Sequence, residues 1–345
     1  MTETKMNPFK WFIDVFCKKW VWQTFFVDIV YKKFDKWKGW LYLSPAIGLL
    51  VVFTVWPIIN TLRMSVMVDY DILAAMDGTQ FEIGFGNFAN VVDVASGSNF
   101  LTCLKNTLLL CFLTVPLSTI LALLIAVCLN SIKPLQRFLQ TIFFLPYVTN
   151  SIAIGMVFAA MFNIVGSFIG KPTQIVDNWG IVNNFLQLFG FEGINWISAG
   201  SDYWANIAVL VVYIVWNALP FKILILLGGL QSVNKQYYEA AKIDSTPRWR
   251  VFTRITVPLL SPMLAYVVIT GFIGGFKEYS SVVGIFGEDM GPVGDPYRLD
   301  TMVGFIYTSI DNNQGRASAA ALILFAIIFA VTMVNLYVSK KKTHY

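Results

Sequence analysis

The chain has 345 residues, of which 57% are hydrophobic and 13% charged, with a mean hydropathy of +0.64 and a formal net charge of +5. Soluble domains are far less apolar, so a length that would make two or three of them is read instead as several membrane spans. The single histidine, His344, lies next to the C-terminus and argues against a Ser-His-Asp triad, a Cys-His pair or an HExxH zinc site. The cysteines Cys17, Cys103, Cys111 and Cys128 have no metal-ligand spacing and are expected to be small core residues.

Residues 1–38 form a basic, aromatic leader. Trp11, Phe12, Trp20, Trp22 and Phe25 alternate with lysines and with Asp14, Asp28 and Asp35, too many charges to span. The pattern suits an interfacial helix at the cytoplasmic headgroups, with aromatic rings against lipid and lysines snorkelling outward. No small-residue cleavage site follows a short apolar core, so the first span is expected to be retained.

A hydrocarbon core of roughly 30 Å takes about 20 helical residues to cross. Runs of that length fall at 40–67, 106–129, 140–163, 205–230, 259–286 and 317–338, which predicts six transmembrane helices in an all-α integral membrane protein. Orientation follows from the basic residues, because loops rich in Lys and Arg stay on the cytoplasmic side. The leader, the second-to-third loop (Lys133, Arg137), the fourth-to-fifth loop (Lys235, Lys242, Arg248, Arg250, Arg254) and the tail (Lys340, Lys341, Lys342) therefore belong inside. The alternate loops carry acids such as Asp69, Glu82, Asp177, Glu192, Glu288 and Asp300 and belong outside. Both termini are expected in the cytoplasm of a multi-pass cell-membrane protein, and the positive charge sets orientation without calling for nucleic acid.

The inner loop at 231–258 is a polar island between two apolar runs. Residues 232–243 and 247–255 read as two short helices, the second begun by Thr246-Pro247 and ended by Pro258. Ala240 and Ala241 allow another backbone to approach. Glu239, Asp244, Arg248 and Arg250 supply charge around an apolar knob of Tyr237, Tyr238 and Trp249. That combination is a docking surface for a cytoplasmic partner.

The block Glu239-Ala240-Ala241, Ile243-Asp244, Trp249, Phe252 and Ile255 to Pro262 (I-T-V-P-L-L-S-P) resembles the EAA loop of carbohydrate ABC importer permeases of the maltose, raffinose and multiple-sugar type. W-L-Y-L-S-P-A from Trp40, W-P-I-I-N from Trp56, F-G-N-F from Phe85, K-N-T-L from Lys105, F-F-L-P from Phe143 and G-L-Q-S-V from Gly229 extend the likeness over nearly all of the chain beyond the leader. The resemblance implies a type I ABC importer transmembrane domain over residues 39–345, with a coupling helix that enters a groove of the ATP-binding subunit. Tyr238, Glu239, Ala240, Ala241, Asp244, Ser245, Arg248 and Trp249 would form that contact. It also implies the partners: a second homologous permease in a heterodimer, two ATP-binding subunits, an extracellular solute-binding protein, membrane lipid and a sugar. No cofactor is expected in this chain. Gly170-Lys171 is followed by Pro172 and lacks the preceding glycine of a phosphate loop, so ATP and Mg belong to the partner ATPase. In size the chain is similar to the six-span members common in Gram-positive bacteria. Ser245 departs from the family, which has Gly after the motif's Asp; either the turn takes another backbone or it carries strain.

Polar groups deep in a span are costly and are candidate sites. Tyr213, Trp216, Asn217 and Phe221 surround Pro220 in the fourth span, where a helix break is expected to free backbone carbonyls. In the fifth, Gly271, Gly274 and Gly275 precede Phe276, Lys277, Glu278 and Tyr279, and the glycines are expected to leave room for a sugar ring. Aromatic faces stack on sugar C–H groups, while an amide and a carboxylate take hydroxyls in fixed directions. By the resemblance, the substrate-binding positions are Ile214, Asn217, Ala218 and Phe221, with Gly271, Gly275 and Glu278. Ordinary packing is the competing reading of the aromatics. Two further alternatives stand at this point: an ABC permease for a non-sugar solute, and an ion-coupled secondary transporter.

Overall fold

The computed structural model describes residues 31–93, 97–132, 136–165 and 178–342. The interfacial reading of residues 1–30 and the Gly170-Lys171 dipeptide lie outside them. The chain divides into two units, residues 1–63 and 64–345, each described by itself.

In the first unit, α1 (Tyr31–Leu50) begins well before the expected start at Trp40 and passes through a π-helical turn, Val51–Val55, into α2 (Trp56–Val66). The wide turn closes with the Trp56 N–H donating to the Val51 carbonyl, one residue before Pro57. A proline inside a regular helix collides with the carbonyl four residues back, and widening the preceding turn moves that carbonyl aside. The same device recurs at 252–256, two residues before Pro258.

The second unit is helical apart from a two-residue antiparallel ladder, β1 (Ile164–Val165) with β2 (Asn178–Trp179), and an isolated bridge between Met67 and Ile83. Short helices α3 (Ile72–Met76) and α4 (Gly86–Val92) precede α5 (Phe100–Ser131). Within F-G-N-F, the Asn87 Nδ2 donates to the Ser65 and Met67 carbonyls at 3.1 and 2.6 Å, and its Oδ1 accepts the Asp69 N–H at 3.1 Å. That buried amide ties residues 65–69, within the second unit, to α4.

The core of this unit is the seam between α5 and α9 (Tyr203–Ser232), parallel neighbours that meet along their whole length. The small residues Ala122 and Ala126 let Leu226 and Leu230 of α9 close onto α5. At the outer end, K-N-T-L acts as a polar clasp. The Asn106 Nδ2 donates to the carbonyls of Arg298 (3.0 Å) and Asp300 (2.9 Å), while its Oδ1 accepts the Tyr203 hydroxyl at 2.8 Å. The Thr107 Oγ1 accepts the Met302 N–H at 3.0 Å, fixing the start of α15 (Met302–Ile310).

The third span is two helices rather than one: α6 (Gln136–Val148) and α7 (Ser151–Phe162), bent by 98° at Thr149-Asn150. An outer helix, α8 (Ile181–Leu188), follows before α9. After the inner helix α10 (Lys235–Ile243), α11 (Arg248–Val251) runs through the second π turn, Phe252–Thr256, into α12 (Val257–Leu259). Pro258 therefore does not end this helix, contrary to expectation; the chain turns at Leu260, 69° from α13 (Ser261–Gly275). The fifth span is also not continuous to Phe286. It stops at Gly275 and resumes as α14 (Ser280–Phe286). Two glycines, Gly155 of α7 and Gly284 of α14, bring those backbones together: a Cβ at Gly155 would lie 2.7 Å from the Gly284 Cα. The long α16 (Gln314–Lys342) closes the unit against α13, α15 and α4.

Among the described residues, counted with each bent pair as one span, six helices are long and apolar enough to cross a membrane, and four are unbroken. Cys103 and Cys111 are buried as expected, whereas Cys128 is exposed on the outer face of α5 and is no core residue.

Asp300, in the loop before α15, is 2% exposed. The Cys103 thiol donates to its Oδ2 at 3.4 Å, and its Oδ1 has no partner among the described residues. Burial pushes this carboxyl up from 3.8 to about 6, against the opposing pull of the Cys103 and Thr301 hydrogen bonds. The folded state then binds more protons than the unfolded state between roughly pH 4 and 6, so Asp300 makes stability rise as pH falls through that window. Asp300→Asn is expected to flatten this part of the profile. Melting temperatures of the two proteins in detergent from pH 4.5 to 7.5 check it, and parallel profiles contradict it.

Candidate functional site

The inner loop hangs directly on α9. The Asn234 Oδ1 accepts the Gln236 N–H at 3.0 Å and caps α10. At the other end the Ser245 N–H donates to the Lys242 carbonyl (3.1 Å) and the Thr246 N–H to the Ala241 carbonyl (2.9 Å). These two bonds make a Schellman closure, in which the residue after the helix takes a left-handed conformation, usually as Gly. Ser245 occupies that position with φ = 50°. Of the two readings of Ser245, the strained one is correct: the turn keeps the backbone that favours glycine.

The predicted docking residues divide by direction. Glu239, Ala240, Asp244, Ser245, Arg248 and Trp249 are exposed, as are Tyr237 and Ile243. Glu239, Asp244, Arg248 and Arg250 form no ion pair among the described residues, so their charges point to solvent. Ala241 is buried, and Tyr238 is half-buried with its hydroxyl 3.3 Å from the Thr256 Oγ1. These two tie α10 to the returning helix. Pro247, with φ −64° and ψ 144°, is the cap of α11, so helix starts one residue later than expected and the Thr246 side chain does not cap it.

The second candidate region lies along α9. No break occurs at Pro220; α9 continues through it, and Pro220 is buried. The break is in the neighbouring third span instead. The Asn150 Oδ1 caps α7 by accepting the Ile152 N–H at 2.9 Å. Facing this cap, the Asn217 Nδ2 donates to the Ser151 Oγ at 3.0 Å, and the buried Tyr213 hydroxyl donates to the Ser151 carbonyl. Phe221 stacks on Tyr147 at 5.9 Å, just before the break. Ile214 is buried in the core and Ala218 is half-buried beside Asn217.

The other break, between α13 and α14, belongs to the same neighbourhood. The Glu278 Oε1 accepts the Ser281 N–H at 3.1 Å and caps α14. Tyr279 stacks on Tyr307 at 4.7 Å and packs in one cluster with Tyr213, Trp216 and Val282. Asn217 and Glu278 thus stand at two helix breaks joined by that aromatic cluster. Gly271 and Gly275 do not share in it. A Cβ on Gly271 would lie 3.0 Å from Val115 and 3.2 Å from the Lys222 Nζ, and one on Gly275 would lie 2.8 Å from the Cys111 Sγ. At Gly271 and Gly275 the room expected for a sugar ring is filled by α5 and the Lys222 side chain, whereas Gly274 faces open space.

Nearer the inner loop, a cavity of about 280 Å³ opens between α6 and α9, lined by Gln140, Phe143, Phe144, Leu224, Leu227 and Gln231. None of the predicted substrate residues lines it. Asn150, Ser151 and Tyr147 were missed in the sequence. The run P-Y-V-T-N-S after Pro146 was their signal: a proline followed by a strong cap.

The family model described as "Binding-protein-dependent transport system inner membrane component" matches residues 115–344. The chain belongs to this family. It is 27% identical over 307 residues to the lactose transport system permease protein LacF of Rhizobium radiobacter, covering 88% of this chain and 93% of that one. The arabinooligosaccharides transport system permease protein AraP of Bacillus subtilis is 27% identical over 316 residues, with 90% and 91% covered. Among solved structures, a chain of a bacterial ABC transporter that imports the acidic polysaccharide alginate superposes with a TM-score of 0.70 at 21% identity, over 91% of this chain and 99% of that one. At that identity the likeness shows the fold, that of an ABC importer transmembrane domain. The permease is therefore a multi-pass membrane protein and a transporter subunit.

Strain at Ser245 gives a direct test of the loop. A left-handed residue with a Cβ costs about 1–2 kcal/mol, partly offset in the glycine variant by its greater freedom when unfolded, for a net gain of ~1 kcal/mol. Ser245→Gly should slow amide hydrogen exchange across 235–246 by roughly fivefold. Unchanged exchange would mean the turn is not strained.

Proposed function

We propose that this permease is the translocating subunit of an ATP-driven sugar importer, and that residues 231–258 are where a separate ATPase applies force. The observation that carries this reading is the inner loop: a self-capped helix whose charges form no ion pair among the described residues and an exposed Trp249, set on the end of the most buried span. A loop that served only to connect two helices would fold its apolar residues back on the bundle. The assembly comprises this chain, a second homologous permease, two ATP-binding subunits that hold ATP and Mg, and an extracellular solute-binding protein. Both termini face the cytoplasm, as the distribution of Lys and Arg requires. Residues 1–38 anchor the chain at the inner headgroups, and 39–345 form the permease domain.

The cargo is a sugar, an oligosaccharide by preference. Relatives are named for lactose, arabino-oligosaccharides and trehalose/maltose. Asn217, Ala218, Phe221 and Glu278 supply an amide, an aromatic face and a carboxylate near two helix breaks, where irregular backbone in a membrane is tolerated because it lines a cavity or is buried in protein. Ile214 supports this wall from inside the core. Transport is conformational: closure of the ATPase pair favours one of two states of the cavity, and no bond is made or broken in this chain.

Purification from detergent should recover the ATP-binding subunit with the wild-type chain and lose it with Glu239→Lys, while the second permease stays bound. Equal recovery with both would refute coupling through this loop, and sugar uptake by this chain alone in liposomes with an ion gradient would favour a secondary transporter. Substrate contact is tested separately. In cells making the whole complex, Asn217→Ala and Glu278→Gln should each lower uptake of the best-transported sugar among lactose, maltose, trehalose and arabinotriose by roughly tenfold, the effect of about 1.4 kcal/mol. Normal uptake in both variants at normal assembly would remove the proposed site.

A further inference from the structure

Lys222 is an ammonium in the middle of a membrane span, 5% exposed, and nothing in the coupling loop or the candidate sugar site accounts for it. Its Nζ donates to the Ser118 Oγ at 2.6 Å, the Thr119 Oγ1 at 3.0 Å and the Val115 carbonyl at 3.2 Å, all on α5. An ammonium has three N–H donors, and α5 provides an acceptor for each. No carboxylate is among them.

The position of this contact matters more than its existence. Lys222 is ten residues above Ser232, where α9 enters the inner loop, and Gly271 is ten residues above Ser261, where the chain leaves it in α13. Both distances are about 15 Å along a helix. The two helices that emerge from the loop therefore meet again at Lys222 and Gly271, below Asn217 and Glu278. The two contacts differ in kind. Between α9 and α5 lie three hydrogen bonds that cannot be exchanged for water in an apolar span. Between α13 and this pair, Gly271 and Gly275 lie against Val115, Lys222 and Cys111; the polar contact there is one weak bond, from the Cys111 thiol to the Phe272 carbonyl at 3.7 Å, beside an edge-on pair of the Phe112 and Phe272 rings, and α13 makes no hydrogen bond to Lys222.

We infer that Lys222 is a positioning residue for transport: it pins α9 to α5 so that the two move as one body when the inner loop is displaced, while α13 slides past them on its glycine face. The inference rests on the coupling role proposed for residues 231–258. A loop that pushed on α9 alone would spend its displacement in shearing α9 along α5. The pin delivers it to the helix breaks at Ser151 and Glu278 instead.

Spin labels at exposed positions, Asn130 on α5, Gln231 on α9 and Tyr266 on α13, read these motions in the purified whole complex with native cysteines replaced. In the wild type, trapping with ATP and vanadate should shift the 231–266 distance and leave 130–231 unchanged. In Lys222→Met, which keeps length and removes the donors, the 130–231 distribution should broaden even without nucleotide and shift with ATP–vanadate. The acceptor-side variant Ser118→Ala/Thr119→Val should do the same, and adding Lys222→Met to it should loosen α5 and α9 little further. The inference is overturned if 130–231 already shifts in the wild type, or stays narrow in both sets of variants. A 231–266 distance that ignores ATP–vanadate, with no ATPase in the complex, is a failure of the coupling reading; the nucleotide-free widths still report whether Lys222 is a pin.

Discussion

Within a bilayer a helix can break only where its loose N–H and C=O groups find partners inside the protein, and this permease breaks its third span at 149–150 and its fifth at 276–279. At each break a side chain takes the place of water. Asn150 caps α7 and Glu278 caps α14, and Tyr213 from α9 takes up the Ser151 carbonyl between them. These three bonds fix where the irregular backbone lies, and thereby where polar groups such as Asn217 stand at mid-membrane. The paired glycines Gly155 and Gly284 then hold the two broken helices in direct backbone contact. Without the caps the breaks would each carry unpaired groups at a cost of several kcal/mol, and the aromatic cluster around Tyr213 would have no frame.

The α5–α9 seam is the element against which everything else is set. It is polar at its outer end through Asn106 and Tyr203, polar again at Lys222, and apolar between and below through Ala122, Ala126 and Leu226. Lipid tails give apolar helix faces little reason to prefer each other over the bilayer, so small residues and hydrogen bonds decide which helices stay together. By that criterion α5 and α9 are permanent neighbours. The α13 helix meets them through Gly271 and Gly275, one weak thiol bond from Cys111 and the Phe112–Phe272 ring pair, and it carries its own turn at Leu260, a construction suited to relative motion. The prolines at 57 and 258 each follow a π-helical turn, so the bundle absorbs them without losing a span.

Much of this was legible in the sequence where the signal is additive along the chain. Apolar runs gave the spans and Lys and Arg gave an orientation, because length and charge do not depend on what a residue touches. The E-A-A block marked a loop that does stand exposed. The breaks were not legible, because both halves of a bent span are equally apolar and hydropathy does not register a 98° turn. Pro220 misled for a related reason: a proline in a long buried helix loses one hydrogen bond, which neighbours tolerate, so a break was expected in α9 and occurs in α6–α7 instead. Gly271 and Gly275 were read as space for a ligand, and only tertiary contact shows that α5 fills it. Lys222 lies inside the fourth apolar run, where a charge is itself a signal, but its meaning lies in three acceptors on another helix that the sequence does not pair with it.

If the inner loop is the seat of a separate ATPase, the direction of its side chains allows a direct measurement. A photo-crosslinking amino acid placed in turn at Glu239, Trp249 and Ala241 in the intact complex reads what each position touches. Positions 239 and 249, both exposed, should link to a chain with a nucleotide-binding phosphate loop, identified by mass spectrometry, and position 241, buried against its own chain, should link within the permease. Links from 239 and 249 that fall only on the permease's own spans would contradict the account.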